Sequence, residues 1–145
     1  MKFTTVIDPS REEEVVIYLQ KESDLPARIE ALLEENSREL LGYGEQQIVQ
    51  LDVREVICFT VEGGRVYALA ESGKWMIRRR LYELEERLDP DFLKINQSCI
   101  ANIKKIRRFD TSLGGSLLVI FSNGYRDYVS RRRLKAVKER IGLRL

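Results

Sequence analysis

The spacing of apolar positions divides the chain into strand-like and helix-like stretches. Phe3, Thr4, Thr5, Val6 and Ile7 supply β-branched and aromatic residues, which predicts a strand over 2–7 ended by Asp8-Pro9-Ser10. Val15 to Leu19 predicts a second strand. From Leu25 the period becomes helical. Ile29, Leu32, Leu33 and Leu40 fall on one face, with Ser23 or Asp24 as cap, Pro26 in the first turn and Gly42-Tyr43-Gly44 as a stop and short linker. Residues 1–44 thus read as a small β-β-α extension, with one further unit over 45–145. Strands follow at 48–51, 56–61 and 65–70, the last two joined through a Gly63-Gly64 turn. Ser72-Gly73 marks another turn before Trp75-Met76-Ile77. Leu81, Leu84 and Leu88 then sit at helical spacing until Asp89-Pro90. Near the end, Leu117–Phe121 and Tyr125–Val129 flank Asn123-Gly124, a strong hairpin signal. A last helix is expected after Ser130, with Leu134, Val137 and Ile141 on its buried face and Gly142 at its end.

Between these elements lies Phe92–Ile106, through which apolar residues recur while Asn96, Gln97, Ser98 and Asn102 place four short polar side chains in its middle. Strand interiors disfavour Asn, and a buried amide needs a partner for each donor and acceptor. Two readings stand side by side. One is a structural turn whose amides are satisfied within the protein. The other is a polar loop aimed at a partner with donors and acceptors of its own.

Charge favours the second reading. The whole chain carries a formal net charge of only +2, but from Lys94 onward thirteen Lys and Arg face Asp110, Asp127 and Glu139, a balance of +10. Residues 1–93 therefore carry −8. Such asymmetry points to a polyanionic partner for the basic half. Arg131, Arg132 and Arg133 occupy the first turn of the last helix, where the macrodipole disfavours cations. A ligand there would account for them. Arg78-Arg79-Arg80 has two readings, phosphate contact or pairing with the glutamates that follow.

Other chemistry is thinly represented. No histidine occurs, which removes His-based acid–base catalysis and most zinc sites. No nucleophile–base pair, paired carboxylate motif or phosphate loop is visible, so no enzyme, metal or cofactor is expected. Gly63-Gly64 precedes no helix and reads as a turn. Cys58 and Cys99 lie in apolar contexts and suit buried thiols in a reducing cytoplasm. With 33% charged residues, no apolar run of membrane length and no signal-peptide pattern, a cytoplasmic protein is expected.

The succession resembles a known family. A strand pair with a Gly turn and a Leu-spaced, Glu-rich helix precede Phe92-x-Lys94-Ile95-Asn96-Gln97-Ser98-Cys99-Ile100-Ala101-Asn102-Ile103. Asn123-Gly124 and Val129-Ser130-Arg131 follow. Together these look like the LytTR-type DNA-binding domain of bacterial transcription regulators, over about residues 46 to 142. The resemblance implies an elongated, mostly β (α+β) fold with short helices that presents loops to duplex DNA. Carried over by position, it implies base contacts from Arg65, Asn96, Gln97 and Arg131. Arg pairs bidentately with guanine, and Asn or Gln with adenine. It implies phosphate contacts from Ser98, Lys104, Lys105, Arg107, Ser130, Arg132 and Arg133. The family usually has His where Asn96 stands and a bulkier aliphatic residue where Ala101 stands. Its members often carry a phosphoacceptor receiver domain, for which residues 1–44 are too few.

The expected function is that of a transcriptional regulator reading the major groove of double-stranded DNA, as a homodimer on repeated half-sites. The N-terminal extension would be the dimerisation surface, or the place where a protein partner or effector docks. An RNA- or ribosome-associated module is the alternative. Loop-reading RNA modules stack bases on exposed aromatics, whereas Phe109, Phe121, Tyr125 and Tyr128 sit in patterns that bury them.

Overall fold

A computed structural model describes residues 1–35, 39–111 and 115–142. The elements, in chain order, are α1 (Leu25–Glu35), β1 (Glu39–Tyr43), β2 (Ile48–Asp52), β3 (Val56–Glu62), β4 (Arg65–Ala70), β5 (Gly73–Ile77), α2 (Leu81–Arg87), β6 (Phe92–Asn96), β7 (Cys99–Asn102), β8 (Ile106–Thr111), β9 (Leu117–Phe121), β10 (Arg126–Tyr128) and α3 (Arg131–Ile141). Seven strands form one sheet in the order β2-β1-β5-β4-β3-β7-β6, and three form a second in the order β10-β9-β8. Every strand pairing is antiparallel. The mostly β class expected from the sequence is the observed one.

Two stretches differ from their predicted form. Residues 1–24 contain no strand. Phe3, Val6, Ile7 and Tyr18 are exposed, since no sheet edge pairs with them and β-branched composition alone cannot hold a strand. Helix α1 forms, but Leu40 is not on it, and Gly42-Tyr43 is not a linker. Both belong to β1, which pairs with β2 through Leu40↔Leu51 and Gly42↔Val49 and with β5 through Tyr43↔Met76. The close approach needs a glycine. A Cβ at Gly42 would lie 2.8 Å from Leu51 Cδ1 and 2.8 Å from Trp75 Cβ.

Two apolar cores lie on the strands. In one, Phe59, Ile77, Leu84 and Ile100 pack together, with Phe92 against Phe59 at a ring separation of 5.7 Å. In the other, Ile57, Cys58, Ile95, Cys99 and Ala101 meet Leu117, Val119, Phe121 and Val137, so the small sheet and α3 are fixed to the large sheet. The alternation of β3 explains the division: Phe59 faces one core, while Ile57 and Cys58 join the other around a β-bulge between Val56 and Cys58. Trp75 is buried, and its Nε1 donates to Ser72 Oγ at 3.0 Å.

Each 3₁₀ turn, at Val53–Glu55 and Ile103–Lys105, starts with a side chain accepting from the backbone two residues on. Asp52 Oδ1 accepts from Arg54 N at 3.0 Å, and Asn102 Oδ1 from Lys104 N at 3.1 Å. Asn102 is only 2% exposed, and its Nδ2 donates to the Val56 carbonyl at 2.8 Å. That Asn is structural, and it locks the end of β7 to the start of β3.

Candidate nucleic-acid interface

The β6–β7 turn divides the polar residues of the central stretch between the two readings. Asn96 is used up inside the protein. Its Nδ2 donates to Asp127 Oδ1 at 3.0 Å and to the Tyr128 carbonyl at 2.8 Å, and its Oδ1 accepts from Ser98 N at 2.8 Å. Gln97 and Ser98 are exposed at the tip. Among the described residues, no hydrogen bond engages the Gln97 amide.

Three other segments converge on this tip. The β3–β4 turn adjoins it, because Val61 N donates to the Ser98 carbonyl at 3.0 Å. Gly63 and Gly64 have positive φ, which lets the chain reverse and brings up Arg65, paired with Glu62 in register. The start of α3 also adjoins it, because Ser130 N donates to the Ile95 carbonyl at 2.9 Å. Ser130 occupies the N-cap position, but its hydroxyl makes no capping bond. Arg131 and Arg132 are exposed in the first turn. The third is the connection from β5 to α2, with Arg78, Arg79 and Arg80 exposed. Arg65, Arg80, Lys94 and Gln97 line one open cleft of about 910 Å³.

Arg65, Asn96, Gln97, Ser98, Ser130, Arg131 and Arg132 therefore gather at one end of the molecule. Lys104, Lys105 and Arg107 do not. Strand β7 carries the chain away from the tip, spanning roughly 13 Å at the usual rise. Lys105 then sits beside Glu55 at 3.6 Å, and its carbonyl accepts from Ser122 N. Arg133 turns from the tip toward Glu85, at 3.9 Å.

Several cations away from the tip have partners within the protein, although Arg126, Lys135 and Lys138 make no ion pair among the described residues. Lys104 pairs with Asp91 at 3.1 Å and Arg108 with Asp110 at 3.0 Å, and Arg107 donates to the Ser122 carbonyl at 2.6 Å. At the tip, among the described residues, Arg65, Arg79, Arg80, Arg131 and Arg132 have no carboxylate within ion-pair distance. Glu62, the cross-strand neighbour of Arg65, is held by Lys74. Glu85, one of the glutamates offered to the Arg78–Arg80 run, is held by Lys94 at 3.5 Å and by Arg133. The glutamate-pairing reading of that run is thus not what forms. Arg78 instead lies over the Tyr43 ring, 4.1 Å from its centroid.

Behind the tip lies a buried thiol pair. Register places Cys58 opposite Ala101 and Thr60 opposite Cys99 on adjacent strands, and both cysteines are fully buried. Hydrogen bonding with Cys58, burial and the nearby Asp127 carboxylate push the Cys99 thiol far above its ordinary range. It is a neutral core group. Burial, followed by Asp127, also raises the Tyr125 phenol. Tyr128, expected to be buried by its strand pattern, is 58% exposed, as is Tyr82 beside the cleft.

Comparison with known proteins agrees with this fold. Residues 46–142 match the model of the LytTr DNA-binding domain. The chain is 33% identical over 109 residues to an uncharacterized HTH-type transcriptional regulator of Staphylococcus aureus (strain NCTC 8325 / PS 47), covering 75% of this chain and 74% of that one. A counterpart in the bovine strain RF122 / ET3-1 is 32% identical over the same length. Among solved structures, the LytTr DNA-binding domain of a Bacillus cereus protein superposes with a TM-score of 0.69 at 20% identity, covering 72% of this chain and 97% of that one. The chain belongs to the LytTr DNA-binding domain family, and residues 46–142 are its DNA-binding domain.

Proposed function

We propose that the chain is a sequence-specific transcriptional regulator that binds double-stranded DNA and reads the major groove with its tip. The observation that carries this is the convergence of three separate segments, bearing Arg65, Gln97 and Arg131, on one end where the cations are left unpaired. Here Gln97 and Arg131 read base edges, with Arg65 beside them. Asn96 holds the turn that presents Gln97, and its own amide contributes to base reading only through that placement. In this reading Ser98, Ser130 and Arg132 contact phosphates flanking the groove, whereas Arg133, turned toward Glu85, reaches one only by leaving that partner. For Lys104, Lys105 and Arg107, a phosphate role requires the duplex to run on past the far end of β7. Loop reading also fits the chain order, because α1, α2 and α3 are each separated by strands and form no consecutive helix pair. No helix among the described residues is long and apolar enough to cross a membrane. A cytoplasmic, non-enzymatic regulator is the setting this reading assumes, and the exposed N-terminal segment is its proposed dimerisation or partner surface.

The test is binding of duplex DNA from upstream of its own gene over a salt series, with Arg131→Ala and Gln97→Ala beside the native chain. Affinity should fall steeply with salt. Each variant should lose roughly 1–3 kcal/mol of preference for specific over random duplex. Absence of binding at low salt defeats the DNA reading, and unchanged discrimination in both variants defeats the residue assignment. The exposed rings of Tyr82 and Tyr128 keep an RNA-binding reading in view, since such rings stack unpaired bases. Competition by single-stranded RNA that exceeds competition by duplex DNA would favour that reading.

A further inference from the structure

We propose that Arg79 and Arg80 form a phosphate-binding rail for the sugar–phosphate backbone flanking the bases read by Gln97, an inference that rests on the DNA-binding reading above. The cleft between the β3–β4 turn and the β5–α2 connection has an apolar floor that includes Val61, Met76 and Ile77. Cations stand on both walls, with Arg65 on one and the Arg78–Arg80 run on the other. Gln97 opens into the same space. A single carboxylate, Glu83, joins the lining.

The arginines of this run are not equivalent. Arg78 is occupied by the Tyr43 ring, and Lys94 by Glu85. Arg79 and Arg80 are exposed, and among the described residues they face no carboxylate at ion-pair distance. The sequence here is otherwise rich in acids, with Glu83, Glu85 and Glu86 directly following. Among the described residues Arg79 and Arg80 remain without an ion-pair partner despite these neighbours, so both guanidinium groups are open to an anion entering the cleft. A major groove is about 12 Å wide, so a base edge held at Gln97 has a phosphate strand within reach of the cleft wall. Guanidinium groups bind phosphate bidentately, yet contacts to phosphate carry no sequence information. Arg79 and Arg80 therefore supply affinity and register, while Gln97 and Arg131 supply discrimination.

The experiment measures binding of the full chain to specific and random duplexes over a salt series. It compares the native protein, the Arg79→Ala/Arg80→Ala double variant, the Arg79→Lys/Arg80→Lys double variant and Gln97→Ala. Removing both guanidinium groups leaves two fewer phosphates neutralised, so the log–log salt slope should become shallower by about 2, with affinity falling equally for both duplexes. The Lys variant should keep the native slope, because each ammonium still neutralises one phosphate. Gln97→Ala should keep the slope and lose the specific-to-random ratio. An unchanged slope in the Ala variant, with the native chain binding normally, overturns the rail and leaves the DNA reading intact. A ratio that collapses in the Ala variant overturns it too, since the arginines would then be reading bases. No duplex binding by the native chain at low salt fails the DNA reading itself, and the rail with it.

Discussion

Asn96 Nδ2 donates a 3.0 Å hydrogen bond to Asp127 Oδ1 across 31 residues of sequence. The same carboxylate oxygen accepts from Tyr128 N at 2.8 Å, so Asp127 ties the β6–β7 turn to the strand that leads into α3. Gln97 follows Asn96 directly and Arg131 lies four residues after Asp127, so the pin holds the two proposed base-reading side chains at a set spacing. Asn96→Ala removes both donors and the acceptor, leaving the Tyr128 carbonyl and Ser98 N without their partner. Stability in urea should fall by about 1–3 kcal/mol. Asp127→Ala removes the acceptor of Asn96 Nδ2 and of Tyr128 N but leaves Asn96 bound to the Tyr128 carbonyl, so its cost should be about 1–2 kcal/mol. It should nonetheless lower specific-to-random discrimination without changing the salt slope. An Asn96→Ala protein as stable as the native one would show that the turn holds itself.

Gly42 gives a test of how β1 is built into the sheet. Its missing side chain lets β1 lie against Leu51 and Trp75, and the nearest of those atoms are 2.8 Å from where a Cβ would be. Trp75 is core, so it has little room to retreat. Gly42→Ala should destabilise the fold by about 1–3 kcal/mol, read as a lower urea midpoint at unchanged slope. A neutral substitution would mean that β1 is free to shift.

That strand is also the least legible part of the described chain. Leu33 and Leu40 are seven residues apart, which a helix and an unrelated strand satisfy equally well. What makes 39–43 a strand is its pairing with β2 and β5, and no local signal carries that pairing. Residues 2–7 and 15–19 show the converse: β-branched residues suggest strands, but no edge pairs with them. By contrast the β3–β4 hairpin, α2, the Asn123-Gly124 turn and α3 are legible, because glycine placement and apolar spacing act within a few residues. At the site, the turn residues point to the tip, and the family resemblance names Gln97 and Arg131. The division of labour between Asn96 and Gln97 is hidden, because it depends on Asp127 arriving from another sheet. The freedom of Arg79 and Arg80 is hidden as well. Three glutamates follow the run in sequence, and only the fold shows that Glu85 is taken by Lys94 and Arg133 and that Glu83 and Glu86 form no ion pair with the run among the described residues.

Stability should decline in alkali. Cys99 and Tyr125 both titrate above their ordinary values of 9.0 and 10.0, the first chiefly through Cys58 and burial, the second chiefly through burial. Each is therefore held neutral in the fold at a pH where the unfolded chain would ionise it. The stabilisation from this difference is complete below the ordinary values and is lost as pH rises through and beyond them. Because the chain has no histidine, no imidazole titrates between about pH 6 and 8. Urea midpoints should be level from about pH 7 to 8.5 and then fall. Cys99→Ala with Tyr125→Phe should flatten the fall relative to the native chain. A native midpoint level to about pH 10.5 would contradict the assignment.

The N-terminal segment offers apolar surface that the rest of the chain leaves uncovered. Leu32 and Leu33 on α1 are 65% and 58% exposed, and Val15 and Val16 before it are 57% and 58% exposed. Uncovered leucines on an amphipathic helix cost nothing in a dimer that buries them, and a twofold interface would bring the same face of both copies together. Such a pairing would carry two tips, which suits two half-sites on one duplex. Leu32→Ser/Leu33→Ser should therefore shift the mass in solution from dimer to monomer. It should weaken binding to a duplex with two half-sites, where linkage multiplies affinity, and leave binding to a single half-site unchanged. Light scattering, with and without DNA, reads the first effect, and titration of the two duplexes reads the second. A native chain that stays monomeric in both measurements would remove the dimer and turn the exposed leucines toward a different protein partner.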